Sequence, residues 1–264
     1  MQYLNDWLFE SETIQKLSKE FAEAHPYPYI VMDNFLKPEI AEEAYNNFPK
    51  YALFNKKYKG LNENKAEGSN IEDFNPIFQK ICDELASNQM YDWIQKVAHI
   101  KEAVVMTDDA LGRGLHLGGQ GSFLDIHIDF NIHVEKDLHR RLNILIYLNK
   151  DWKEEYGGGL EMWDKEVSKM EKYVSPAFNR CLIFETNEIS YHGYGKINVP
   201  EGESRKSIYG YYYSKTRDGA SPYHDTVFKT RPEEGTIKKI KTNLKEVAKN
   251  NIKRVLKSVG ISLK

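Results

Sequence analysis

The sequence predicts an α+β protein whose β-rich core is a sandwich or barrel, with helices before it and after it. Two observations carry this. Residues 101–217 break into short runs rich in β-branched and aromatic residues (AVVMT, SFLDIHIDF, RLNILIYLN, GLEMW, RCLIFE, SIYGYYYS), separated by Gly, Asn and Asp. Many short strands at that spacing fit a sandwich or barrel, not a parallel sheet with alternating helices. On either side, apolar residues recur at helical spacing instead. With 264 residues, 41% hydrophobic and 29% charged, the composition is that of an ordinary globular protein, long enough to need no covalent staples.

Taken in order, Ser11 to Ala24 carries Ile14, Leu17 and Phe21 on one helical face, and His25-Pro26 stops it. YPYIVMDNFL reads as a strand closed by Asp33-Asn34. Lys37-Pro38 opens a second helix through Ile40, Ala44 and Phe48. KYKGLNENKAEGSN is polar and rich in Gly and Asn, so a loop is expected there. Ile77, Ile81, Leu85, Trp93 and Val97 mark a longer helix or a broken pair. The β-rich stretch follows. Past residue 217 the pattern returns to helix, with Ile237, Ile240, Leu244, Val247, Val255 and Leu256 on one apolar face. No repeat or linker divides the chain, so 1–264 is expected to form one domain: mostly helical support over 1–100, the β core over 101–217, and a loop and basic helix over 218–264.

The chemistry centres on His127-Ile128-Asp129. On a strand, residues two apart share a face, so the His127 imidazole and the Asp129 carboxylate converge while Ile126, Ile128 and Phe130 point away. His192, in SYHGYG, is the best third partner. Two imidazoles and one carboxylate suit Fe(II) and leave part of its coordination sphere open. An HxD tripeptide alone is weak evidence. Two further residues have open readings. In RLNILIYLN, Tyr147 shares a face with Asn143 and Leu145; it either offers its hydroxyl to a ligand or fills the core. In SRKSIYGYYYS, Arg205 shares a face with Ser207, Tyr209 and Tyr211; it either meets an anion or sits solvated at the strand end.

The ordered blocks HIDF, RRLNILIYLNKDW, YGGGLEMWD, FNRCLIFETNEISYHGYG and SRKSIYGYYYS resemble the prolyl-4-hydroxylase-like branch of the Fe(II)/2-oxoglutarate dioxygenases, over residues 110–217. The resemblance implies a double-stranded β-helix (jelly roll) fold, with iron held by His127, Asp129 and His192. It places Arg205 and Tyr147 on the distal carboxylate of 2-oxoglutarate. It implies O2-dependent hydroxylation of an unactivated C–H bond, with succinate and CO2 as coproducts and ascorbate as a candidate reductant. The carboxylate of Asp129, where related halogenases carry a small residue, favours hydroxylation. Many relatives place a Tyr about ten residues before the first His. Here Leu117 or His116 stands in that neighbourhood, and His116 is either a substitute contact for the cosubstrate or an ordinary loop histidine. The substrate is a prolyl residue in a peptide, or a small molecule such as a saccharide. Desaturation, cyclisation, or a non-catalytic jelly-roll binding module are the alternatives.

Other residues have plainer expectations. His133, His139, Arg140 and Arg141 read as a solvated charged loop, with lining of a substrate entrance as the second option. Asn131, directly after the HxD strand, is a candidate substrate contact. Trp163 reads as core, Gly157-Gly158-Gly159 as a tight turn into a strand, and Cys82 and Cys181 as buried free thiols. The opening MQYLNDWLFESET lacks a basic segment followed by an apolar run, and no apolar stretch has the length of a membrane span, so a cytoplasmic location is expected. A net charge of −2 predicts no global attraction to nucleic acid. Residues 236–264 nevertheless form a strongly basic block. Its helix either meets an anionic surface or docks its Ile/Leu/Val face on the domain, and docking is the expectation. Nothing in the sequence speaks to oligomeric state.

Overall fold

The computed structural model describes residues 1–242 and residue 244. Four α-helices precede the core: α1 (Ser11–Glu23), α2 (Pro38–Asn46), α3 (Pro76–Leu85) and α4 (Asn88–Val97). Their starts follow local rules. Pro38 and Pro76 occupy first turns, Asn75 accepts from the Ile77 N–H at 3.0 Å, and Ser87 accepts from the Met90 N–H at 3.3 Å. The broken-pair reading of residues 77–97 is the correct one.

The strands are β1 (Tyr29–Asp33), β2 (Lys56–Lys59), β3 (Glu63–Gly68), β4 (Val104–Met106), β5 (Arg113–Gly118), β6 (Phe123–Ile128), β7 (Ile132–His133), β8 (Leu138–Tyr147), β9 (Leu160–Trp163), β10 (Met170–Val174), β11 (Arg180–Glu185), β12 (His192–Tyr194), β13 (Arg205–Ser214) and β14 (Val227–Phe228). They pair antiparallel in the order β1-β11-β8-β13-β5-β3-β6-β12-β9-β10. This nearly closed sheet is the jelly roll that the short-strand texture and the resemblance both predict.

Period-two alternation decides what each face of the sheet buries. On β8, Leu142, Ile144 and Ile146 join Ile208, Cys181 and Ile183 in one core with the helices, where Phe21, Phe78, Ile81 and Trp93 meet them. The other face turns inward, and Leu145, Tyr147, Leu182, Phe184 and Tyr209 line the interior with Leu160 and Met162. The helices thus back one face of the sheet and leave the interior of the roll to the site.

Three expectations need correction. The segment 57–70, read as a loop, supplies most of the β2–β3 hairpin, and β3 is the seam of the roll: it pairs with β5 through Ala66, Glu67 and Gly68 and with β6 through Glu63 and Asn64. Its polar side chains misled because the pairing strands, not an apolar face, specify it. His116 is likewise not a loop histidine: it lies within β5, with Leu115 and Leu117 turned to the helical core. The third concerns the C-terminal helix. At its described start, residues 236–242 and 244, Ile237, Ile240 and Leu244 are exposed rather than docked. The positions of Val247, Val255 and Leu256 lie outside the described residues. Cys82 and Cys181 are buried free thiols, as expected.

Candidate active site

His127, on β6, and His192, at the start of β12, face each other across a strand pair in direct register, with ring centroids 4.3 Å apart. Their backbones come this close because Gly193 leaves no Cβ: one built there would lie 2.7 Å from the Leu124 carbonyl oxygen. Each imidazole has its Nδ1 on a backbone carbonyl, Asp125 O at 2.9 Å for His127 and Ser190 O at 2.8 Å for His192. A carbonyl only accepts, so Nδ1 carries the proton in both rings and each Nε2 presents a lone pair. Both Nε2 atoms point at Asp129, at 3.6 Å and 3.4 Å from its two oxygens. The three ligand-type atoms lie within 4.8 Å of one another.

The electrostatics keep this set ready for a cation. Burial, then the neighbouring His127, pushes His192 down to about 3, so it is neutral across the physiological range. Burial alone would raise the Asp129 carboxyl, but the Arg140 guanidinium beside it holds it well below the usual carboxylate range. Two imidazole nitrogens and one ionised carboxylate are therefore brought together, the donor chemistry that fits Fe(II).

Arg140 is the residue that sequence reasoning missed. It is not in a solvated loop but on β8, buried, with Nη2 3.2 Å from Asp129 Oδ2 and its guanidinium against the rings of Tyr211 and Phe130. Asn143 completes the clamp, accepting from Arg140 Nε at 2.9 Å and donating to Asp129 Oδ2 at 2.8 Å. Asn143 was legible, since it shares the inward face with Tyr147. Arg140 was not, because its parity is wrong for that face. A β-bulge restores it: the β13 partners step from Tyr212 opposite Leu142 to Tyr213 opposite Arg140, skipping Arg141. The neighbouring charges are also paired rather than solvated. His133 is buried with Nε2 2.9 Å from Asp109, and Arg141 reaches Glu102 at 3.1 Å. His139 lines a hollow of about 140 Å³ that opens beside Asp129.

Arg205 and Tyr147 meet on the inner wall of the roll. Arg205 opens β13, only 3% exposed, and donates from Nε to the Gly158 carbonyl at 2.6 Å. Its Nη2 lies 3.4 Å from the Tyr147 hydroxyl, and its guanidinium packs on the rings of Tyr147 and Tyr194. Gly158 is needed here: its φ is +69°, and a Cβ would meet Ile197 at 2.8 Å and the Arg205 side chain at 3.3 Å. The GGG stretch is thus the tight turn expected, and it also supplies a carbonyl to Arg205. Among the described residues no carboxylate pairs with Arg205. A buried guanidinium without one is costly unless an anion arrives. Arg205, His127, Asp129 and His192 line a single cavity with Leu145, Leu160, Phe184 and Tyr194.

His116, not Leu117, faces this cavity. Its ring stacks on Tyr209 at 4.1 Å, and its Nε2, 3.8 Å from Glu67 and too far for a hydrogen bond, has no partner. Burial pushes its pKa down to about 4, against the opposing pull of Glu67. The hydroxyls of Ser207 and Tyr209, on the same inner face, are also without partners. Such orphaned polar atoms are rare unless a ligand or water completes them. Asn131 donates to the carbonyls of Ser221 and Pro222 and accepts from the His224 N–H, pinning that loop, and it lines the same hollow as Asp129 and His139. Trp163 is core, with its indole N–H on Glu161.

Comparison with known proteins agrees with this geometry. Residues 113–213 match the family model of the 2OG-Fe(II) oxygenase superfamily. Over 97 residues, 35% of this chain, the sequence is 26% identical to the prolyl 3-hydroxylase OGFOD1 of Mus musculus; the match spans 18% of that relative's length. Two solved structures share the fold. One is a prolyl-4-hydroxylase of Pseudomonas putida, 14% identical, with TM-score 0.55, covering 76% of this chain and 100% of that one. The other is a prolyl hydroxylase of Trichoplax adhaerens in complex with a hypoxia inducible factor oxygen degradation domain peptide fragment, 17% identical, with TM-score 0.58, covering 80% and 94%.

Proposed function

We propose that this chain, whose residues 113–213 match the family model of the 2OG-Fe(II) oxygenase superfamily, is an Fe(II)- and 2-oxoglutarate-dependent hydroxylase of the prolyl-4-hydroxylase-like branch. The observation that carries the reading is one cavity with a His/Asp/His donor set at one end and a buried, carboxylate-free arginine at the other. A dicarboxylate with a chelating 2-oxo acid end satisfies both.

His127, Asp129 and His192 would hold the metal, and Arg205 the distal carboxylate, with Tyr147 beside it. Iron with 2-oxoglutarate and O2 supplies the oxidising power that turns a C–H bond into C–OH, the cosubstrate leaving as succinate and CO2. The chain's own residues do the rest. Arg140 and Asn143 both hold Oδ2 of Asp129, which leaves Oδ1 as its ligand atom and fixes the carboxylate plane. Carbonyl acceptors lock both imidazole tautomers. Leu145, Leu160 and Phe184 keep the wall between the two ends apolar, which excludes water and strengthens the charge on Arg205. His116 Nε2 is placed to donate or accept at the cosubstrate's flank, where many relatives use a tyrosine.

For substrate we favour a prolyl residue in a peptide, supported by three relatives named as prolyl hydroxylases and by the open hollow beside Asp129. The test is an anaerobic titration of the protein with Fe(II) and 2-oxoglutarate, followed by succinate release with proline-containing peptides. A weak visible charge-transfer band that vanishes in His192→Ala is expected. Iron bound normally with no band would sink the 2-oxoglutarate reading; a band without peptide-dependent succinate would move the substrate to small molecules.

A further inference from the structure

Three charged side chains point into the roll from β3, a strand that lies outside the matched residues 113–213. Ala66 packs in the helical core, so period-two alternation turns Glu63, Lys65 and Glu67 to the opposite, inner face. Of the three, Lys65 alone lines the cavity that holds the His/Asp/His cluster and Arg205. Its register brings it towards the arginine end. Ala66 pairs with Leu117 on β5, so one step on Lys65 comes level with Gly118, and Arg205 pairs with Gly118 from the other side. The two cations thus flank one glycine, from backbones about 10 Å apart, a span that two long side chains close.

The Lys65 ammonium has neighbours but no committed partner. Glu63 and Glu67 each stand 3.9 Å from its Nζ, beyond hydrogen-bond reach, and the Tyr58 ring lies 5.2 Å away. Glu67 has a closer cation, Lys56 at 3.0 Å. Among the described residues Lys65 Nζ makes no hydrogen bond, and its side chain is 15% exposed, so a ligand can reach it. Burial is the main cause that lowers the pKa of His116, but the Lys65 and Arg205 charges add to it, so both fields reach the same corner.

We propose that Lys65 is a second cationic contact, alongside Arg205, for the distal carboxylate of the cosubstrate, and that it selects a 2-oxo acid ending in a carboxylate over one ending in a methyl group. The inference rests on the oxygenase reading. Arg205 supplies a planar fork, and Lys65 a compact point charge on a flexible stem. Glu63 and Glu67 keep the ammonium at the cavity wall, at separations that leave no hydrogen bond to break when an anion arrives. A lysine with a purely structural role would hydrogen-bond at least one of them.

The experiment compares anaerobic binding of 2-oxoglutarate and of 2-oxopentanoate, which lacks the distal carboxylate, to the Fe(II)-loaded full chain, read from the charge-transfer band. In Lys65→Met the 2-oxoglutarate concentration at half-saturation is expected to rise about tenfold, about 1.4 kcal/mol, while that of 2-oxopentanoate stays the same. Lys65→Arg should restore most of the loss, and iron binding without a 2-oxo acid should be unchanged in both variants. An equal rise for the two acids overturns the proposal, because it marks a structural lysine. So does a 2-oxoglutarate titration that ignores Lys65→Met. A band missing from the parent chain sinks the oxygenase reading and this inference together; a band present in the parent and indifferent to Lys65 sinks the inference alone.

Discussion

The two ends of the cavity bury the same kind of side chain and treat it in opposite ways. Arg140, beside the metal-type cluster, has its counter-charge built in: Asp129 at 3.2 Å, with Asn143 bridging the two. Arg205, at the far end, has a carbonyl, a hydroxyl and two aromatic faces, but no carboxylate among the described residues. One end is complete without a ligand. The other is a buried charge that only an anion balances. The difference teaches that a buried arginine is structural or ligand-binding according to its counter-ion, not its burial.

The largest effect expected is on the donor set: in His192→Ala the charge-transfer band and succinate release should fall to background, which a metal-binding titration checks directly. Next is Arg140→Met. It strands the Asp129 charge and should cost about 3–5 kcal/mol of stability in chemical denaturation, with much of that recovered in Arg140→Met/Asp129→Asn. Arg205→Leu should do the reverse. Without ligand its stability should equal or exceed that of the parent, while the 2-oxoglutarate concentration needed for the band rises about 100-fold, about 2.7 kcal/mol. Equal destabilisation by the two arginine variants would break the comparison.

The smallest effect is a pH dependence. His116 sits at about 4 when folded against 6.5 ordinarily, chiefly through burial. Between those values the unfolded chain binds more protons than the folded one, so stability rises with pH there. The contribution is full above about pH 6.5 and is lost as pH falls towards 4. His116→Gln should flatten the stability-versus-pH slope near pH 5 by about one proton, or about 1.4 kcal/mol per pH unit. An unchanged slope would mean that His116 is not held neutral.

Much of this molecule could be read along the chain because strand alternation is a local property. The parity that groups Asn143, Leu145 and Tyr147, and that groups Arg205, Ser207, Tyr209 and Tyr211, needs no tertiary information. The same holds for the His127/Asp129 pair and for the helix start at Pro38. Where parity fails, so does the reading. Arg140 reaches Asp129 only through a bulge, and a bulge depends on how β8 meets β13. β3 carries too few apolar residues to announce itself; two neighbouring strands recruit it.

By itself, then, the sequence determined the strand-rich core, the inward faces of its strands, and the pairing of His127 with Asp129 on one of them, since each follows from spacing; the roles of His192 and Arg205 came only with the family resemblance. Only the tertiary structure decided that His116 and not Leu117 faces the cavity, that Arg140 is the counter-ion of Asp129, that Arg205 lacks one, and that Ile237 and Ile240 stay in solvent. Each of those depends on which groups come within a few ångströms across different strands, and pairwise electrostatics and burial are properties of that proximity, not of chain order.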